Sequence, residues 1–211
     1  MLNGFNRHSN QQSLKAIFIT CCLLFITGCS SKFEINEQQV IGPISQHQSL
    51  YLINYETPQR WLDYENLQQG VFSEWLLRGF KETLNQNAII TDGMVVTKKN
   101  KKEQRKQIKS ILRKTKPEGV LTIKAVSAHG KMETQLTHHV DNIVYKFAFF
   151  SYKSGKKEKV WESKGTYYLS NALDDDSETL YHAYVDVFVN QVLMELQQAG
   201  LLKPLTLPVI P

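Results

Sequence analysis

Apolar residues along this chain follow two rhythms, and the change of rhythm marks the elements. From Leu50 to Tyr55 both parities are apolar, which predicts a strand covered on both faces, and Thr57-Pro58 ends it. Between Asp63 and Asn85 the spacing turns helical, because Phe72, Leu76, Phe80 and Leu84 recur every fourth position with Trp75 and Leu77 beside them. Gly79 lies inside that helix, where close approach to a neighbouring backbone offsets its cost of about 1 kcal/mol relative to alanine. Ala88 to Thr97 reads as a strand with a bulge or turn at Gly93. A short stripe of Ile108, Ile111 and Leu112 predicts a second helix within Lys98–Lys116, closed by Pro117-Glu118-Gly119. Val120 to Val126 and then Asn142 to Tyr152 alternate as strands. A turn at Ser154-Gly155-Lys156 returns the chain through Val160 to Leu169, giving a hairpin. The closing helix has Leu180, Tyr184, Phe188, Val192 and Leu196 on one stripe. Asp174 to Glu178 supply acids and a capping hydroxyl at its start, and Gly200 stands where a left-handed cap is expected.

The predicted order is β-α-β-α-β-β-β-α, a single α/β (α+β) domain with a mixed sheet and helices packed on it. Residues 29–49 are polar and weakly patterned and read as a flexible tether with a reach of about 25 Å. The globular domain is expected over 50–202. An extended tail of 203–211 follows, whose three prolines preclude more helix and which is expected to pack on its own domain.

Before the tether, a basic lead containing Arg7 and Lys15 meets an uncharged apolar run from Ala16 to Ile26 and then small residues and a cysteine. That is the anatomy of a cleavable export signal. Its eleven apolar positions, at about 1.5 Å each, cover about half of a hydrocarbon core, too little to span it. The ending Ile26-Thr27-Gly28-Cys29 resembles the bacterial lipobox, which implies removal of residues 1–28 and acylation of Cys29 by chains such as palmitate. Several acyl chains, at about 0.8 kcal/mol per buried CH₂, moor a protein stably where one does not. Ser30 after the cysteine is similar to lipoproteins sent to the outer membrane, so the expected location is that membrane's periplasmic face.

Composition changes the picture once the signal is set aside. Cys21 and Cys22 leave with it and Cys29 is modified, so the mature chain has no thiol to bridge. Its formal charge falls from +5 to +3, a mild excess that, with export, argues against a nucleic-acid partner. The excess is concentrated, however. Lys98 to Lys116 holds ten basic residues against one acid. Lys101, Lys102, Arg105, Lys106, Lys109 and Arg113 are the candidate partner-binding residues there, suited to anionic lipid, lipopolysaccharide phosphates or an acidic partner. The competing reading is a lysine-rich helix face that is simply solvated.

Chemistry-bearing constellations are sparse. His138, His139 and Asp141 lack a convincing third ligand, since adjacent histidines on a strand point to opposite faces. Asp174 to Asp176 lack the glycine and terminal glutamate of a calcium loop, and no nucleophile elbow, phosphate loop or dinucleotide fingerprint occurs. No catalytic residue, metal or cofactor is therefore expected beyond the lipid on Cys29.

The order of elements, the middle strand Gly119-Val120-Leu121-Thr122-Ile123, and the hairpin from Tyr152-Lys153-Ser154-Gly155-Lys156 to Val160-Trp161-Glu162-Ser163 resemble an envelope family. It is the α/β domain shared by the TolB amino-terminal region, the curli-secretion lipoprotein CsgG and the penicillin-binding-protein activator LpoB. The resemblance covers about Leu50 to Leu202 and implies a non-enzymatic module that binds a protein partner or assists assembly in the cell envelope. The alternative, a subunit of a secretion or transport complex like CsgG, needs hairpins that open toward lipid, and Lys146, Glu162 and Lys164 oppose that. A hydrolase acting on peptidoglycan or lipid is the third reading, one that a catalytic pair in a pocket would favour.

Overall fold

The computed structural model describes residues 32–58, 71–132, 138–153, 156–168 and 185–207. The predicted signal, the start of the first helix, the acidic run Asp174 to Asp176 with the start of the last helix, and the end of the tail lie outside them.

Among the described residues, six strands form one mixed sheet. In chain order the elements are β1 (Lys32–Val40), β2 (Ser49–Tyr55), α1 (Val71–Gln86), β3 (Ile90–Val96), α2 (Lys101–Thr115), β4 (Gly119–Met132), β5 (His138–Ser151), β6 (Glu158–Tyr168) and α3 (Val187–Gln198). Across the sheet the order is β1-β6-β5-β4-β2-β3. β2 runs parallel to both β3 and β4, so α1 connects the parallel neighbours β2 and β3 and α2 passes over β2 to join β3 to β4, while β4, β5, β6 and β1 pair antiparallel. The single mixed α/β domain read from the sequence is what the chain forms.

The helices divide between the two faces. α1 and α3 cover one face, over a core in which Phe72, Leu76, Phe80 and Leu84 of α1 and Val189, Val192, Leu193 and Leu196 of α3 meet Leu50, Leu52, Leu121, Ile123, Ile143 and Phe147 of the sheet. Phe188 is its hub, with ring centroids 4.5 Å from Phe33, 4.9 Å from Tyr145, 5.7 Å from Tyr167 and 5.8 Å from Phe147. α2 covers only part of the other face, over a smaller cluster of Tyr51, Ile53, Val96, Ile108 and Val120. β2 is thus roofed on both sides, as its double-parity pattern requires.

Two expectations need correcting. Residues 32–40, taken within 29–49 as a flexible tether, form edge strand β1 on β6, with Phe33 only 5 % exposed. Its signal was weak because an edge strand alternates on one face only, and Glu34, Asn36, Glu37, Gln38 and Gln39 dominate the segment. Gly93 makes no bulge either, since β3 pairs with β2 in unbroken register from Ile90 to Val96. A Cβ at Gly93 would fall 2.6 Å from the Leu52 carbonyl oxygen and 2.8 Å from Leu77 Cδ1, so glycine is there to let α1 close on the sheet.

The chain end matches its pattern. Gly200 has φ +74°, Leu201 N–H donates to Leu196 O at 2.9 Å, and Leu201 is fully buried. Leu205 and Leu207 pack on the main core, and Thr206 and Asn87 exchange two hydrogen bonds, so the described part of the tail lies on its own domain.

Candidate functional site

α2 is placed by β3 and held by very little apolar surface. Ile108 is its only buried residue, flanked by half-buried Gln104, Ile111 and Leu112. Asn100 stands at its N-terminus without a side-chain cap, and the left-handed conformation of Lys116 ends it, with a backbone bond to Leu112 O. Lys101, Lys102, Arg105, Lys106, Lys109 and Arg113 are all exposed, as a helix with one narrow apolar stripe demands.

They do not converge on one point. Gln104 accepts a bond from Thr97 N–H at 2.9 Å and donates to Val95 O at 3.3 Å, which lays that flank of α2 over β3. At about 100° per residue, Arg105 and Lys109 fall on the opposite flank, toward β4 and β5, while Lys106 faces outward. Strand order agrees, because a right-handed β3–α2–β4 crossover puts α2 in front of β2 with β4 and β5 on that same side.

What sequence reasoning missed lies beside α2. On the part of the face that α2 leaves open, one register row reads Tyr55, Lys124, Lys146, Lys164 and Glu37 across β2, β4, β5, β6 and β1. Three ammonium side chains on adjacent strands, about 4.8 Å apart at the backbone, oppose one another directly, an arrangement that is unfavourable unless compensated. Two are partly compensated. Lys146 Nζ lies 3.5 Å from Glu162, which Lys159 also holds at 2.8 Å, and Lys164 Nζ lies 3.4 Å from Glu37. The hydrogen bond from Lys159 and the Lys146 charge keep the Glu162 carboxyl below its usual range. Lys124 has no carboxylate partner among the described residues. The alternation of each strand displayed these lysines, but only the pairing register aligns them.

A depression of about 200 Å³ lies at the β1 end of this row, lined by Glu37, Gln38, Gln39, Lys146, Glu162, Ser163 and Lys164. A second, of about 530 Å³, lies along α1, lined by Glu74, Leu77, Arg78, Lys81, Glu82, Asn85 and Gln86.

Two Ser–His contacts occur among the described residues: an exposed one between Ser127 Oγ and His129 Nε2 at 3.3 Å, two positions apart on β4, and a buried one at His47. His47 Nδ1–H donates to Leu201 O at 3.2 Å, which leaves Nε2 to accept from the Ser151 hydroxyl at 3.0 Å. The geometry has a base, its orienter and a hydroxyl. Both side chains are buried, however, and neither lines either depression, while the His47 ring packs on Phe149 at 4.9 Å. The pair clamps the segment before β2 to the chain end and the β5 terminus. His138 and His139 sit opposite Met132 and Lys131 in the β4–β5 register, and no group of three metal-ligating residues occurs among the described residues. The Asn142–Leu169 hairpin, described to Tyr168, occupies the middle of the sheet with one face inside the main core. Among the described residues no helix is long and apolar enough to cross a membrane.

No known protein family matches the sequence, and no curated protein does. Among solved structures, the chain is similar to the PelC dodecamer from Paraburkholderia phytofirmans, at 9 % identity and a TM-score of 0.40 over 75 % of this chain and 94 % of that one. It is also similar to the hypothetical protein CT253 from Chlamydia trachomatis, at 9 % identity and 0.42 over 73 % and 96 %. A third likeness is to the lipoprotein GNA1162 from Neisseria meningitidis, at 14 % identity and 0.35 over 72 % and 99 %.

Proposed function

We propose that this protein is a lipid-anchored binding or assembly factor of the bacterial cell envelope, acting without catalysis and holding an anionic partner on the face that carries α2. The observation that carries the binding role is the placement of charge. A helix whose one buried residue is Ile108 presents its cations outward, beside a sheet face on which Lys124, Lys146 and Lys164 are aligned. The anchor rests on Ile26-Thr27-Gly28-Cys29 and its resemblance to the lipobox. The envelope setting rests also on the resemblance to the TolB, CsgG and LpoB domains.

Strand β1 changes how the anchor works. Only Ser30 and Ser31 lie between Cys29 and Lys32, so over three steps of 3.3–3.6 Å the fold begins within about 11 Å of the acylated cysteine. Such a domain stays beside its bilayer, instead of roaming on a long tether.

The test is intact-mass analysis and density fractionation of the protein from bacterial cells, with Cys29→Ser as the comparison. Wild type is expected to begin at residue 29, to carry acyl mass and to travel with outer membranes, and Cys29→Ser to lose both properties. An unmodified Met1 on the native protein would overturn the anchor. A photoreactive residue at Lys106 that captures no partner from intact cells would overturn the binding role.

A further inference from the structure

The flank of α2 and the open sheet beside it form a trough with positive charge on its helical wall and on its floor. Arg105 and Lys109 are on the helical wall, and Lys124, Lys146 and Lys164 cross the floor. Apolar surface is mixed into it. Half-buried Ala148 shares the floor, half-buried Phe150 and Tyr152 pack at the foot of α2, and Lys157 Nζ sits 4.0 Å above the Phe150 ring. The carboxylates within reach, Glu162 and Glu37, belong to the β6 and β1 side, so the positive charge is least compensated at Lys124, nearest the helix.

We infer that this trough is the binding site for an acidic polypeptide segment of a partner protein, one in which carboxylates alternate with apolar side chains. The inference rests on the binding role proposed above and names its ligand class. Shape selects against a membrane, because α2 is about 10 Å thick and a flat bilayer would meet its outer ridge before reaching the floor lysines. A slim chain enters where a plane cannot. The aromatic and aliphatic margin selects a peptide over a bare phosphate chain, since phosphates leave Ala148, Phe150 and Tyr152 without a partner, whereas an apolar side chain between two glutamates would cover them. The directly opposed lysines are explained in the same way. Carboxylates laid between them turn an unfavourable row into a set of ion pairs.

The experiment titrates the full-length lipoprotein in neutral detergent with a short poly-L-glutamate, an alternating glutamate–tyrosine peptide, inorganic polyphosphate and phosphatidylglycerol vesicles. The alternating peptide is expected to bind tightest. Lys124→Glu/Lys146→Glu should weaken it about tenfold or more, with Arg105→Glu/Lys109→Glu acting in the same direction. The charge-matched pair Lys114→Glu/Lys203→Glu, away from the trough, should change affinity by less than about twofold, within the reach of screened long-range charge. Equal losses in the two lysine pairs would make the attraction diffuse and overturn the site, and so would unchanged binding by Lys124→Glu/Lys146→Glu. Tighter floor-dependent binding of polyphosphate or vesicles would overturn the ligand class. Lys124→Gln/Lys146→Gln, which adds no new charge, separates a lost site from a lost fold when near-ultraviolet dichroism is read alongside. None of these outcomes depends on Cys29, so failure here leaves the anchor standing, and failure of the anchor leaves the trough testable.

Discussion

His47 shows how one side chain can carry a pH dependence without taking part in chemistry. Its ring is buried, Nδ1–H is committed to Leu201 O, and Nε2 accepts from Ser151. Protonation would leave Nε2–H facing a hydroxyl that must then turn round, in a place with little water. Burial lowers its pKa first of all, the bond to Leu201 opposes that, and nearby Lys153 lowers it while Glu118 raises it. The sign follows by linkage. Unfolded histidine takes a proton near its ordinary pKa of about 6.5 and the folded one only at lower pH, so the unfolded state binds more protons between those values. The contribution of His47 is therefore fully present above about pH 7 and is lost as pH falls through the unfolded value toward the folded one. Urea unfolding from pH 8 to pH 5 is expected to show this loss in wild type, whereas His47→Gln should be less stable at pH 8 and flatter with pH. A parallel decline in the two proteins would show that the clamp does not titrate.

The elements differ in how openly the sequence displayed them. Strand β2, helices α1 and α3 and the β5–β6 hairpin were legible because each buries a repeating apolar stripe, and burial is the property that periodicity reports. Strand β1 was hidden, since it buries Phe33, half-buries Ile35 and is otherwise polar apart from exposed Val40, so what makes it a strand is β6, more than a hundred residues away. That dependence can be tested at the contact point. Gly165 of β6 pairs with Ile35 at the β1 register shift, and a Cβ there would strike the Phe33 ring and come within 2.9 Å of the Glu34 carbonyl oxygen. Gly165→Ala is expected to destabilise the domain by about 1–3 kcal/mol, as overpacking does. Hydrogen exchange of the β1 amides should quicken more than that of the β4–β5 amides, because an edge strand can detach alone. Unchanged β1 protection in that variant would mean the strand yields without letting go. The candidate site divides along the same line. The basic run of α2 could be read from neighbouring residues, whereas the Lys124, Lys146 and Lys164 row exists only through pairing between strands distant in sequence.

At the scale of the molecule, the direction of the sheet fixes which end of the domain would meet a bilayer. Lys32 pairs with Tyr168, Tyr168 with Asn142 and Asn142 with His129, so the chain enters the sheet at the far end of β4. The loop before β2, the C-terminal tail and the start of β3 lie at the other end, level with Gly119. Ten residues of β4 separate the two levels, about 33 Å at 3.3 Å per residue. With Cys29 acylated three residues before Lys32, the Lys32 end would stay close to the lipid and the Thr206 end would stand off by most of the length of the sheet. From residue 29 onward the sequence has no cysteine other than Cys29, so with residues 1–28 removed and Cys29 acylated, Lys32→Cys and Thr206→Cys would each accept a single spin label in vesicles. A paramagnetic relaxant held at the headgroups is expected to broaden the label at 32 strongly and the label at 206 hardly at all. Equal broadening would mean that the domain lies flat along the bilayer, and the reverse order would mean that some other part of the chain holds it there. The expected order leaves the trough open from the side, because α2 and the floor lysines lie along the flank of an upright sheet and point into the aqueous space where a partner's acidic segment can reach them.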